Sequence, residues 1–560
     1  MNQMEMSLRM RAKQKARDYL ENETQYQLGF IEAEQHHPLT KGLGETAQRD
    51  IAGAVQMILS VDEALIPRIQ ETLSSDCFRA FSDAVSRTLL QGGRIFLSGC
   101  GATGRLCLNL EACWRRGWNA RQDCRGKEAI SEQVIAIMTG GDYALVKSVE
   151  SFEDLAVLGA AQIQAYHPSP TDLLIGVTAT AETTSVLGTA FAAAKAGCPV
   201  WMVVCSRPEW VSKRLDRARE VFSHLLVRSL YLPCGPMAVT GSTRMQSSTY
   251  EQITIAAALE AAGQAILSEK GLTAPTNPDM ASGFASIVRQ LRTPGTTAAL
   301  ADYISLEAKV YRKKGFITYF ADEFLLDVLS DTTERSPTFM VPPFAPMDEE
   351  SETPSWAFVK NPACETKEAW NRCFGRPPRC IQWTKEDYLR LGADVNPVPA
   401  ISEKDLLRFT IGWERDLRRE GDPCSVAVWV DAETETELFR QAAEGYPAHS
   451  RLVLRELGLT FEPGLTNALP HIAMKMVMNT VSTVTMGNLG RLKSNCMIWM
   501  DMSNKKLVDR SARLIVQECG ISYEKAMEEL FYTQLALKAE GRNDSPAGVT
   551  IRRLWQEGCL

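Results

Sequence analysis

Arg94-Ile95-Phe96-Leu97-Ser98 runs straight into Gly99-Cys100-Gly101-Ala102-Thr103-Gly104, and the chain continues from Arg105 to Trp114 with helical spacing. A short apolar run closed by glycines reads as a buried strand, a tight turn and a helix. The glycines let the backbone turn sharply and approach a ligand, while the helix start presents unpaired N–H groups whose dipole favours an anion. Thr103 adds a hydroxyl donor. The plainer reading is a glycine-rich βα turn that holds nothing. A dinucleotide site is the chemical rival, but it asks for an acidic residue at the end of the next strand, and Gln133 to Met138 (QVIAIM) ends without one. A Walker loop needs Gly-Lys followed by Ser or Thr, and no such triplet follows.

A second turn of the same kind lies downstream. Leu173 to Thr178 (LLIGVT) reads as a strand that opens through Ala179-Thr180-Ala181-Glu182 into a helix from Thr183 to Ala196. A threonine-rich N-cap explains that turn taken singly; two anion-ready turns in neighbouring βα units point to one phosphate site. Val200 to Cys205 (VWMVVC) is a further strand. The alternation predicts a parallel sheet covered by helices on both faces. Residues 1 to about 90 read as mostly helical, with Ile51, Val55, Ile58 and Leu59 at helical spacing. Gln246 to Lys270 reads as a helix and Leu272 to Thr296 as a connection. From about 297 the rhythm restarts, with a helix at Ala298 to Lys313 and strands at Phe316 to Phe320, Arg379 to Trp383, Cys424 to Val430 and Arg451 to Leu454. Residues 337 to 355, rich in proline and acid, read as an irregular excursion.

At 560 residues two or three domains are expected. Hydrophobic residues make up 45% and charged residues 23%, the balance of a folded soluble chain. A net charge of −7 argues against a nucleic-acid grip, which needs a clustered basic surface. The fifteen cysteines contain no C-x-x-C pair and read as small buried hydrophobes in a reducing compartment. The charged, amphipathic start is unlike a secretory signal, and no apolar run reaches membrane-spanning length. A cytoplasmic protein is expected. Six scattered histidines suggest no metal, and no cofactor is expected.

GCGATGRL (99–106) resembles the GxGTSGRL loop of the sugar isomerase (SIS) domain found in N-acetylmuramic acid 6-phosphate etherases and the glucokinase regulatory protein. MTGGDYALVKSVESFEDLAVLG (138–159), GVTATAETTSV (176–186), CGPMAVTGSTRMQSST (234–249) and the long block at 475–515 are similar, in order, to that family's further motifs. The resemblance implies an α/β fold of two SIS-type doubly wound parallel-sheet domains, a pseudo-dimer with helical N-terminal and C-terminal segments. The expected boundaries are a helical segment at 1–60, the first SIS domain with its phosphate loops at 61–275, the second with the closing helices at 290–525, and a short helical tail at 526–560.

The resemblance also distributes the site. Its phosphate positions carry over to Gly101, Ala102, Thr103, Gly104, Thr178, Thr180 and Thr183, with Ser242 and Thr243 from the GSTRM segment and Lys475 from the second half. The family's base falls on Glu153. Its acid falls on Glu334, within Asp331-Thr332-Thr333-Glu334-Arg335-Ser336-Pro337. In the first half the acid's aligned position is Cys113, and in the second half the phosphate turn is Phe320-Ala321-Asp322-Glu323-Phe324, whose acids repel an anion. One composite site per chain is therefore expected. Each residue also has a bland alternative: solvated helix-face charges for Glu153 and Glu334, a snorkelling stem for Lys475, a helix cap for Ser242 and Thr243. Gln246 and Met237 stand where the family has lysine and glutamate, departures that leave the identity of the sugar open.

Three functions follow from the resemblance. The first is a phosphosugar-binding regulator in the style of the glucokinase regulatory protein, partnered by a sugar kinase or by self-association, with neither nucleic acid nor membrane as partner. The alternative is an etherase-like lyase using Glu153 as base and Glu334 as acid. An SIS-type transcriptional regulator ranks last, because the first 50 residues show no helix-turn-helix.

Overall fold

Nine short strands, most of them fully buried, organise the chain into two parallel sheets. The structure is a computed structural model; it describes residues 3–558 except 148, 274, 348–353, 433–436 and 503, and of Glu150 and Ser151 only the backbone. The first sheet holds β1 (Ile95–Gly99), β2 (Val134–Met138), β3 (Leu173–Val177), β4 (Val200–Val204) and β5 (Val227–Tyr231) in the order β2-β1-β3-β4-β5. The second holds β6 (Ile317–Phe320), β7 (Ala357–Lys360), β8 (Val426–Asp431) and β9 (Ala448–Val453) in the order β7-β6-β8-β9. Every strand pair in both sheets is parallel. The continuous burial of β1 to β4 and of β6 and β7 explains their unbroken apolar sequences, since helices cover both faces.

Two sheets flanked by helices are the doubly wound α/β architecture expected from the sequence, with the rhythm restarting near residue 317. The strand order reverses at β1, which pairs with both β2 and β3, placing Gly99 beside Met138 on one side and Val177 on the other. The two hydroxyl- and glycine-bearing turns thus emerge side by side at the carboxyl edge, where open α/β sheets take their ligands.

Three local expectations are corrected. Arg379 to Trp383 is not a strand: it is extended chain lying against the first half, where Arg379 N–H donates to Asp142 at 2.6 Å and the Arg379 carbonyl accepts from Asp142 N–H at 3.1 Å. The strand in that part of the sheet is β7, four residues that follow the proline-rich stretch. Residues 337–339 also depart from the irregular reading, because the helix Leu325–Phe339 absorbs them, Pro337 included; 348–353 lie outside the described residues. Within Leu272 to Thr296 a 12-residue helix, Met280–Leu291, is capped by Asp279, whose carboxylate accepts from the Ala281 and Ser282 amides. Its apolar face is buried, a pattern that outweighs the Pro-Thr-Asn-Pro ahead of it.

The halves meet through the helices that follow β1 and β6. Ala102–Ala120 and Leu325–Phe339 face one another, and Asn109 donates to Asp327 across the seam at 2.9 Å. Arg376, 6% exposed, reaches from the second half to Glu111 and Asp142 of the first, with contacts of 3.0 and 2.5 Å. Such a seam is buried yet charged, so its geometry depends on every partner being present.

Candidate functional site

The first wall is the turn after β1. Gly101 takes φ 53° and ψ −122°, a conformation closed to side chains, and nothing lies within 4 Å of where a Cβ would sit. Thr103 Oγ1 accepts from Cys100 N–H at 3.0 Å and donates to the Cys100 carbonyl at 2.9 Å, which fixes the loop on itself. The helix Ala102–Ala120 starts with no side-chain cap, leaving its first turn available to an anion.

The second wall is the turn after β3, where Thr178 and Thr183 share a 2.9 Å hydroxyl contact and Thr180 donates to Glu182 at 3.1 Å. The third comes from Gly241, Ser242 and Thr243, which precede the helix Gln246–Glu269. Gly241 sits at φ 73°, and a Cβ there would lie 2.5 Å from the Arg510 guanidinium carbon, so only glycine admits that arginine.

The closing helix Lys505–Cys519 supplies the charge. Lys506 Nζ donates to Glu153 at 2.9 Å and stands 3.9 Å from Glu182. Arg510 and Arg513 both hold Glu34, at 2.5 and 2.7 Å. Across the cleft, Arg105 meets Glu334 at 2.6 Å, first half to second. Together these walls enclose a cavity of about 170 Å³.

The electrostatics follow from this burial. Desolvation by itself raises the pKa of Glu153, but the Lys506 ammonium outweighs it and holds the carboxyl below its usual 4.5. Lys506 likewise resists its own desolvation and is pushed up by Glu153. Asp154 is raised to about 6, by desolvation first and by neighbouring Glu153 second. Desolvation, reinforced by Glu153, pushes the Cys100 thiol well up, which disfavours a thiolate beside the β1 turn.

Of the residues expected at the site, Gly101, Ala102, Thr103, Glu153, Thr178, Thr180, Thr183, Ser242, Thr243 and Glu334 all border this one cavity. Gly104 and Lys475 do not. A Cβ on Gly104 would come within 2.7 Å of Met138, so that glycine serves close packing of helix on sheet. Lys475 spends its ammonium behind the GSTRM segment, donating to the Arg244 and Met245 carbonyls and to Thr249 Oγ1 at 3.1, 3.3 and 2.6 Å. The lysine in the cleft wall is Lys506. Lys506 and Arg510, with Glu34 and Asn504, are charged and amide wall residues that reading the sequence missed, and Thr139 and Thr338 also border the cavity. Their signal was present: Lys506 and Arg510 recur four apart on a helix whose Val508, Ala512 and Ile515 are buried.

The family model described as "Glucokinase regulatory protein N-terminal SIS domain" matches residues 79–193, from the helix before β1 to the helix after β3. An N-acetylmuramic acid 6-phosphate etherase from Serratia proteamaculans is 28% identical over 229 residues, spanning 41% of this chain and 68% of that protein. The chain is an SIS-domain protein related to the etherases and the glucokinase regulatory protein. The etherase of Photorhabdus laumondii is 30% identical over 201 residues, 36% of this chain and 56% of that protein, so the match spans little more than half its length. Among solved structures, tagatose-6-phosphate ketose/aldose isomerase from Escherichia coli is similar with a TM-score of 0.39 and 10% identity, spanning 80% of this chain and 95% of that one. No helix among the described residues is long and apolar enough to cross a membrane.

Proposed function

We propose that the chain binds a phosphorylated amino sugar in the composite cleft and acts on it as the N-acetylmuramic acid 6-phosphate etherases do, releasing D-lactate. The supporting observation is that carboxylates from opposite halves, Glu153 and Glu334, border one cavity with three hydroxyl-rich turns. In this reading the turns hold the phosphate and Lys506 keeps Glu153 ionised. Glu153 removes the proton from the carbon next to the carbonyl of the ring-opened sugar. The electron pair left behind forms a carbon–carbon double bond as the ether bond breaks, and Glu334 delivers a proton to the departing lactyl oxygen. Water then adds across the double bond to give the amino-sugar phosphate. For Glu334 to donate, its 2.6 Å contact with Arg105 must loosen as substrate enters. The named etherase relatives support this reading over the regulator that the sequence puts first.

The regulator stays as a second reading because two parallel sheets share one chain and because the matching family model describes the glucokinase regulatory protein. There the same carboxylates bind sugar hydroxyls, and a sugar kinase or a second copy of the chain reads the bound state. Incubation with N-acetylmuramic acid 6-phosphate, assayed for D-lactate, separates the two. Release by the wild type that Glu153→Gln abolishes is the etherase outcome; no release alongside calorimetric binding of a hexose 6-phosphate overturns it in favour of the regulator.

A further inference from the structure

The composite cleft shares Ala102, Arg244 and Glu334 with a smaller chamber, of about 40 Å³, set in the seam between the halves. Arg105 borders the chamber and not the cleft. Glu334 therefore stands at the junction of the two spaces, held there by Arg105 at 2.6 Å.

Two buried arginines of the chamber carry unused donors. Arg105, 4% exposed, gives Nη2 to the Leu145 carbonyl and to Thr333 Oγ1 at 3.1 and 3.3 Å. Among the described residues neither its Nε nor its Nη1 has a hydrogen-bond partner, because the approach of Nη1 to Glu334 is an ion contact without hydrogen-bond alignment. Arg244, 5% exposed, places Nη1 2.7 Å from Asp331 and donates from Nη2 to Thr483 Oγ1 at 3.1 Å, and its Nε is likewise unpartnered among the described residues. Asp331 is also held by Arg335 at 2.9 Å, and Asp327, the chamber's third carboxylate, by His471 at 2.7 Å. Neither is left to satisfy Arg105. Buried donors without acceptors are costly and uncommon, which points to an acceptor that arrives with the ligand.

The substrate of the proposed reaction carries such an acceptor. In a D-lactyl ether a single carbon separates the carboxylate from the ether oxygen, so the group that protonates that oxygen has the carboxylate at its side. Glu334 has that role in the proposed reaction, and the guanidinium beside it is Arg105.

We propose, on the etherase reading, that Arg105 is the specificity residue for the lactyl carboxylate, which displaces Glu334 from the guanidinium and enters the chamber. Arg244 Nε is the chamber's second unused donor. One carboxylate replaces another on the same cation, and no covalent bond is made or broken in the exchange. A guanidinium favours the ionised form of the acid it touches, so the exchange frees Glu334 to carry the proton that the departing oxygen takes. A hexose 6-phosphate has no carboxylate and leaves the Arg105–Glu334 contact closed.

The test measures kcat/KM for release of the amino-sugar phosphate from N-acetylmuramic acid 6-phosphate and from its lactamide, in which an uncharged carboxamide replaces the carboxylate. The wild type is expected to favour the acid by at least about tenfold, through loss of a charge-assisted contact in the lactamide. Arg105→Met should bring the ratio close to one, and Arg105→Gln should do the same where the methionine variant does not fold. A variant that is merely loosened loses both substrates alike and keeps the ratio. Equal turnover of acid and lactamide by the wild type overturns the proposal, as does an acid preference that the Arg105 variants leave intact. If the wild type turns over neither compound, the etherase reading fails instead, and calorimetric affinities for the same pair decide the carboxylate site. An affinity for the acid that exceeds that for the lactamide, and is lost with Arg105, upholds it; equal affinities overturn it.

Discussion

At the residue scale, the two lysines of the second half divide what the sequence assigned to one. Lys475 is half-buried, and desolvation lowers its pKa to about 8 from 10.5. Between those values the unfolded chain binds more protons than the folded one, so this residue's contribution to stability rises with pH across that window. Lys475→Met keeps the stem but strands two carbonyls and a hydroxyl. A loss of about 1–3 kcal/mol is expected in urea unfolding, with ligand affinity affected only through the displaced GSTRM segment. Lys506→Met should act in the opposite order, weakening sugar-phosphate binding in calorimetry by roughly tenfold or more through loss of a charge-assisted contact. The Glu153–Lys506 pair also has a pH signature. Because the Glu153 carboxyl is held below 4.5 in the folded chain, its stabilisation is present above that value and lost as pH falls through the folded pKa. The stability gap between wild type and Glu153→Gln should therefore narrow in acid, as thermal melts at stepped pH would read.

At the element scale, the β1 turn separates conformation from packing. Gly101→Ala meets no neighbour, only a forbidden backbone region, and should cost about 1–3 kcal/mol of strain that the loop relieves by moving away from the cleft. Gly104→Ala drives a methyl into Met138 and the Gly99 carbonyl, at 2.7 and 3.0 Å, and should cost about 1–3 kcal/mol without re-aiming the turn. Comparing melting temperature with ligand affinity checks this: affinity should fall more than stability for the first variant and stability more than affinity for the second. The same scale explains the misread elements. A four-residue strand such as β7 carries too few residues to show a period, whereas RCIQW (379–383), apolar and β-branched in places, has the composition of a strand yet joins neither sheet and is held instead by Asp142.

At the scale of the whole molecule, the seam between the sheets is held by buried charges rather than by apolar contact alone. Arg376→Met would leave Glu111 and Asp142 partly uncompensated and should cost about 3–5 kcal/mol. If the halves unfold together in the wild type, the variant's denaturant transition should broaden or split, as the coupling between the two cores is what has been removed. Glu334→Ala tests the same coupling at the cleft, since it leaves Arg105, with its side chain 5% exposed, without its carboxylate partner.

The sequence by itself determined the doubly wound α/β class, the restart of the rhythm in a second half, and the turns at Gly99 to Gly104 and Thr178 to Thr183; Glu153 and Glu334 stood out only through the family resemblance. These are local: an apolar strand, a glycine turn and a helix start are written in consecutive residues. Only the tertiary structure decided which lysine enters the cleft, that Arg105 and Glu334 close it from opposite halves, and that Asn109, His471 and Asp327 meet at all. Such contacts join residues hundreds of positions apart through helix packing, and the direction of a side chain on a helix buried on most sides leaves no period in the sequence to read.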